Sequence, residues 1–112
     1  YFLCRKITDV HLGMFVTFNH PKSKFAIAKQ LIGLPGDVLA IRNQKLFINE
    51  VEYGALQPYT LSGQVIHPIT EETIPQGYCF VYAPHPYSYD SRYAEFGLVP
   101  LDSLKEELWP LF

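Results

Sequence analysis

Residues 25–37 read Phe25-Ala26-Ile27-Ala28-Lys29-Gln30-Leu31-Ile32-Gly33-Leu34-Pro35-Gly36-Asp37. Alternation in the first eight predicts a strand over Ala26 to Ile32, with Phe25, Ile27, Lys29 and Leu31 facing one way. Its end is written in the next residues: proline presets one turn position and Gly36 supplies positive φ at the following one. Lys29 is the one charge in an apolar run, and nothing adjacent in sequence balances it. An amine held away from water and counter-ions falls below its usual pKa of about 10.4, toward the 7–8 range suited to general-base work. The plainer alternative is a snorkelling lysine whose stem lies on the core while its amine reaches water.

Outward from this stretch, short apolar runs alternate with turn chemistry, which reads as an all-β fold of mostly antiparallel sheets. Tyr1 to Lys6 and Met14 to Phe18 precede the lysine strand. Val38 to Ile41 and Lys45 to Ile48, joined through Arg42-Asn43-Gln44, form an expected hairpin. Asn49 to Gly63 carries few signals and is expected to be irregular. Gln64 to Ile69 and Tyr78 to Tyr82 are two further predicted strands. Asp102 to Leu108 predicts a short C-terminal helical turn, with Asp102 or Ser103 as its cap.

The chain has 112 residues, enough for one domain spanning 1–112 and too few for two. With 15% aromatic and 18% charged residues it is suited to a packed core, not to disorder. A formal charge of −2 without a basic cluster argues against a nucleic-acid partner. No apolar run is long enough to span a bilayer. His11, His20, His67 and His85 show no ligand spacing, so no metal and no cofactor is expected. Cys4 and Cys79 are either a disulfide or two buried thiols.

A lysine strand running into "IGLPGD", followed by Ser88-Tyr89-Asp90-Ser91-Arg92-Tyr93, resembles the bacterial type I signal peptidases, membrane-anchored serine proteases with a Ser/Lys dyad. Gly13-Met14-Phe15-Val16-Thr17-Phe18 is similar to that family's "GDxVxF" strand, and the ending Leu108-Trp109-Pro110-Leu111-Phe112 to its closing "A-x-P-L". Two departures stand out. Gln30 replaces the usual arginine after the lysine, and Tyr82-Ala83-Pro84-His85 replaces the usual "GDNR". The loop Ala83-Pro84-His85-Pro86-Tyr87 and the two extra residues in Tyr93-Ala94-Glu95-Phe96-Gly97 resemble the conjugative-transfer, TraF-like branch, which processes pilin subunits or related substrates.

The resemblance implies amide hydrolysis through an acyl-enzyme, with Lys29 as general base and Ser88 orienting its amine. By position Asp90 and Arg92 match an ion pair that holds the segment in shape. On an extended strand they would share a face with Ser88; the plainer readings are a surface salt bridge worth about 0–1 kcal/mol and a turn hydroxyl. The nucleophilic serine is expected in an "S-x-P" segment shortly before Tyr1, and a membrane anchor before that, so these residues alone are expected to be an inactive fragment. The resemblance places the domain on the extracytoplasmic, periplasmic side of the bacterial inner membrane. It also implies a precursor polypeptide bound as an extended strand, with small residues before the cut and with Ile27 and Ala28 lining the pockets. Alternatives are a non-catalytic pilin-assembly factor of the same fold and, less well matched, a self-cleaving repressor of the LexA type.

Overall fold

The computed structural model describes residues 2–6, 9–21 and 23–110. Among the described residues there are nine strands: β1 (Phe2–Lys6), β2 (Phe15–Phe18), β3 (Ile27–Gly33), β4 (Leu39–Arg42), β5 (Lys45–Ile48), β6 (Val51–Ala55), β7 (Tyr78–Tyr82), β8 (Val99–Pro100) and β9 (Leu104–Pro110). They form a six-stranded sheet in the order β1-β9-β2-β3-β7-β8 and a three-stranded sheet β4-β5-β6. Every named strand pair is antiparallel, as the all-β expectation requires.

The lysine strand begins one residue later than predicted. Phe25, expected on the face of Lys29, lies outside β3 and is 79% exposed. The turn that ends the strand forms as expected: Gly36 has φ +94°, and the Asp37 N–H donates to Leu34 O at 3.0 Å. Asp37 also braces it through its carboxylate, which accepts the Leu34 N–H at 2.8 Å and the Asn49 side-chain amide at 2.9 Å.

Both faces of the large sheet are covered where β3 and β7 run. Cys79 and Val81 join Val16, Phe18 and Leu31 in one core. Phe80 and Ile32 face the other, packing against Leu39, Leu46 and Ile48 of the small sheet. Between these layers β3 bulges, and Gly33 sits at the bulge opposite Phe80. A Cβ on Gly33 would lie 2.7 Å from Ile74 Cδ1 and 2.8 Å from Phe80 Cβ, so only glycine fits. Cys79 carries a free thiol that donates to Val99 O at 3.4 Å, which removes the Cys4–Cys79 disulfide; the Cys4 side chain lies outside the described residues. Burial pushes that thiol up to about 12.

Three segments differ from expectation. Val51–Ala55, predicted irregular, is a strand on β5, reached through a turn in which Asn49 and Glu50 both have positive φ, 49° and 70°. Such a two-residue turn matches the twist of the flanking strands, but glutamate is a poor marker for its second position. The predicted strand Gln64 to Ile69 holds only two isolated bridges, Val65 with Tyr59 and Pro68 with Tyr93. Pro68 lacks the N–H that a continuing ladder needs. The C-terminal helical turn is confined to a 3-10 turn at Leu101–Ser103, and Leu104–Pro110 is a strand. Pro100 stands at the N-cap position with no side-chain cap, and Ser103 Oγ instead donates to Pro100 O. Leu, Lys and Glu favour helix locally, but pairing with both β1 and β2 satisfies this backbone on two sides. Tyr1 and the closing Leu111-Phe112 lie outside the described residues. No helix among the described residues is long and apolar enough to cross a membrane.

Candidate active site

Lys29 sits on β3 opposite Val16 of β2, two residues before the fully buried Leu31 on the same face. Its Nζ donates to Ser88 Oγ at 2.9 Å, across 59 residues of sequence. Lys29 is half-buried, and this burial lowers its pKa from the ordinary lysine value of 10.5. Asp90 pulls the other way as a nearby anion, and the Arg92 cation lowers it further. The amine is thus held in position and biased toward its neutral form. A neutral amine that donates one N–H to Ser88 keeps its lone pair for a proton.

Asp90 and Arg92 are not a surface pair: they are 0% and 2% exposed. Nor do they lie on an extended strand. Residues 84–87 and 90–92 are bends and turns that carry the chain across the end of β7. Arg92 Nε donates to Asp90 Oδ1 and Nη2 to Asp90 Oδ2, both at 2.8 Å. Nη2 also lies within bonding distance of the carbonyls of Ala83, His85 and Ser88. Asp90 in turn accepts the backbone N–H groups of Ala83 and Arg92. One guanidinium therefore ties together the loop that presents Ser88. Ser91, which sequence reasoning left without a role although it lies inside the quoted motif, closes β7: its Oγ accepts the Val81 N–H and its own N–H donates to Val81 O.

Ile27 and Ala28 lie on opposite faces of β3. Ile27 packs partly on the core, while Ala28 is exposed. What they share is a backbone edge. On one side Ile27, Ala28 and Lys29 pair with Phe18, Thr17 and Val16, but the ladder to β7 ends at Gln30 and Tyr82. Beyond Tyr82 the chain bends away at Pro84, so the edge of residues 27–29 on that side has no strand beside it among the described residues. No three His, Cys, Asp or Glu side chains converge among the described residues in a way that would hold a metal ion.

The antiparallel β fold that carries Lys29 and Ser88 is that of signal peptidase I. A crystal structure of a signal peptidase I from Enterococcus faecalis V583 superposes with a TM-score of 0.65 and 27% identity, over 92% of this chain and 99% of that one. Signal peptidase I U from Bacillus subtilis (strain 168) is 35% identical over 77 residues, which is 63% of this chain and 41% of that protein. The chain thus spans less than half the length of this relative. The family described as signal peptidase, peptidase S26, matches residues 1–108, and the chain belongs to that family.

Proposed function

We propose that the protein is a signal-peptidase-like serine endopeptidase in which Lys29 is the general base and Ser88 positions it. The observation that carries this reading is the Nζ–Oγ bond of 2.9 Å at a half-dry site. The nucleophile is a serine in a segment preceding Tyr1, as the family resemblance implies. Neutral Nζ takes the proton from that serine's hydroxyl, and the oxygen attacks the scissile carbonyl carbon to give a tetrahedral adduct. Collapse breaks the C–N bond, and the Lys29 ammonium returns its proton to the departing amine. A water, deprotonated by Lys29, then attacks the ester; the C–O bond to the serine breaks, the serine oxygen takes the proton back from the Lys29 ammonium, and the new carboxyl end is released. Asp90 and Arg92 take no proton; they hold the loop that carries Ser88.

The substrate is a precursor polypeptide bound as an extended strand along residues 27–29, with small residues before the cut. Ile27 and Ala28 contribute main-chain hydrogen bonds and flank its side chains. The Ala83–Tyr87 loop and the two additional residues between Tyr93 and Gly97 favour pilin or other conjugative-transfer precursors. The domain works on the extracytoplasmic side of the inner membrane, held there by an N-terminal anchor.

The test is cleavage of a pilin-type precursor by the full-length protein, followed by mass spectrometry, beside Lys29→Ala and Ser88→Ala. Loss of cleavage in Lys29→Ala with residual cleavage in Ser88→Ala supports the assignment. Equal cleavage by wild type and Lys29→Ala overturns it, as does acylation of Ser88 itself by a serine-directed peptide inhibitor. No cleavage by a well-folded wild type would point to an assembly factor of the same fold.

A further inference from the structure

Ser88 and Tyr93 line one small cavity, where the loop that carries Ser88 meets the segment 57–66. Gln57, Thr60 and Ile66 wall it from one side and Ser88, Tyr89 and Tyr93 from the other, around a volume of about 40 Å³. That is room for a water or two and too little for a ligand side chain. Tyr93 is 1% exposed, and its Oη accepts the Gln57 N–H at 3.0 Å. Ser88 Oγ accepts from Lys29 Nζ at 2.9 Å. Each hydroxyl also carries a proton of its own, and neither proton has an acceptor among the described residues. A water, which accepts two hydrogen bonds, satisfies both donors within a space of this size.

We infer that Tyr93 is a positioning residue for the reaction: a water that accepts from both Tyr93 Oη and Ser88 Oγ fixes the direction of the Ser88 hydroxyl, so that Ser88 only accepts from Lys29. The inference rests on the peptidase reading above. A neutral amine has two N–H groups and a single lone pair, and the base needs that lone pair for the nucleophile's proton. A Ser88 hydroxyl free to rotate would turn once Lys29 lost its proton and donate into the lone pair. The residue that positions the base would then block it. With its proton drawn to the water, Ser88 keeps a lone pair toward the Lys29 N–H, and the lone pair of Lys29 stays open.

The neighbouring charges do a different job. Asp90 and Arg92 bias whether Lys29 is charged, and neither determines which way the Ser88 O–H points. Tyr93 suits the task because it belongs to the same braced turn: its N–H donates to Asp90 O at 3.1 Å, and its ring stacks on Tyr89 with centroids 6.3 Å apart. Its hydroxyl is thereby carried on the structure that presents Ser88.

The test uses the full-length protein and Tyr93→Phe, which removes one oxygen and keeps the ring. Ser88 then donates to neutral Lys29 and favours it. The midpoint of the Lys29 titration, read by NMR of its side chain, falls by about half a unit to one unit, the worth of one hydrogen bond. At the high-pH plateau kcat falls about five- to ten-fold with KM unchanged. In a Ser88→Ala background the same change moves neither quantity, because no hydroxyl is left to turn. A merely structural role for Tyr93 would lower stability and leave the midpoint in place. An unchanged midpoint in folded Tyr93→Phe, or an equal shift in the Ser88→Ala background, overturns the inference. A crystal structure of the wild type decides even if Tyr93→Phe does not fold: a water within about 3.2 Å of both oxygens supports the assignment, and none there overturns it. If the wild type cleaves no precursor, the peptidase reading fails, while the Lys29 titration and the water still decide whether Tyr93 orients Ser88.

Discussion

Replacing Asp90 with alanine is expected to cost about 3–5 kcal/mol of stability, the range for breaking a buried ion pair from one side. The substitution leaves a guanidinium that is 2% exposed without its two shortest bonds, both 2.8 Å. It also orphans the Ala83 and Arg92 backbone N–H groups that the carboxylate accepts. Three carbonyls remain within reach of Nη2, so the charge is not wholly abandoned, which argues for the lower half of the range. For a domain of this size that corresponds to a Tm lowered by roughly 12–25 °C. Urea unfolding of wild type, Asp90→Ala, Arg92→Met and the double variant, run as a cycle, isolates the pair. The double variant should be more stable than Asp90→Ala alone, because removing the guanidinium relieves the uncompensated charge. A loss below about 1 kcal/mol in Asp90→Ala, the value of an exposed pair, would refute the reasoning.

Cleavage should rise with pH as Lys29 loses its proton, with a midpoint below 10.5, because burial lowers this amine. The same burial penalises the charged form, so it opposes folding below the folded-state pKa, and that penalty fades as pH climbs toward 10.5; a rate midpoint at or above 10.5 would contradict the desolvated site. Gly33→Ala should destabilise by about 1–3 kcal/mol in chemical denaturation, since its methyl would press on Ile74 and Phe80, and a neutral result would mean that the bulge relaxes freely. Glu95 is held at about 2 by the backbone N–H of His67 and, next, by its imidazole. Stabilisation from this depressed carboxylate is present above the ordinary glutamate range and is lost as pH falls toward 2. NMR titration of His67→Ala should show a partial rise, since the N–H remains; no rise would rule out the ring.

The lysine strand and its turn were legible because each signal is local: an alternation, a proline, a glycine at the position that needs positive φ. The Lys29–Ser88 bond spans 59 residues and came through only by resemblance of motifs. Burial of Asp90 and Arg92 was not legible, because exposure depends on what covers a loop and their spacing suits a strand or a turn equally. Val51–Ala55 escaped because Asn49-Glu50 adopts a turn that sequence seldom assigns to glutamate. Leu104–Pro110 reads as helix residue by residue, and only two neighbouring strands, one of them at the other end of the described chain, make it a strand.

That arrangement has a consequence for how the molecule is made. β1 and β2 never touch each other as partners; both pair with β9, so Phe2 waits for Pro110 and Phe15 for Leu108. Contacts of such long sequence separation carry a large loop-closure cost before any reward, which places folding in the slow, millisecond-to-second range of β proteins. Until β9 arrives, β1 has no partner in the sheet and one edge of β2 is open. A chain emerging N-terminus first therefore leaves β1 unpaired and one edge of β2 open until β9 has been made, and it is in that interval that a chaperone would find it.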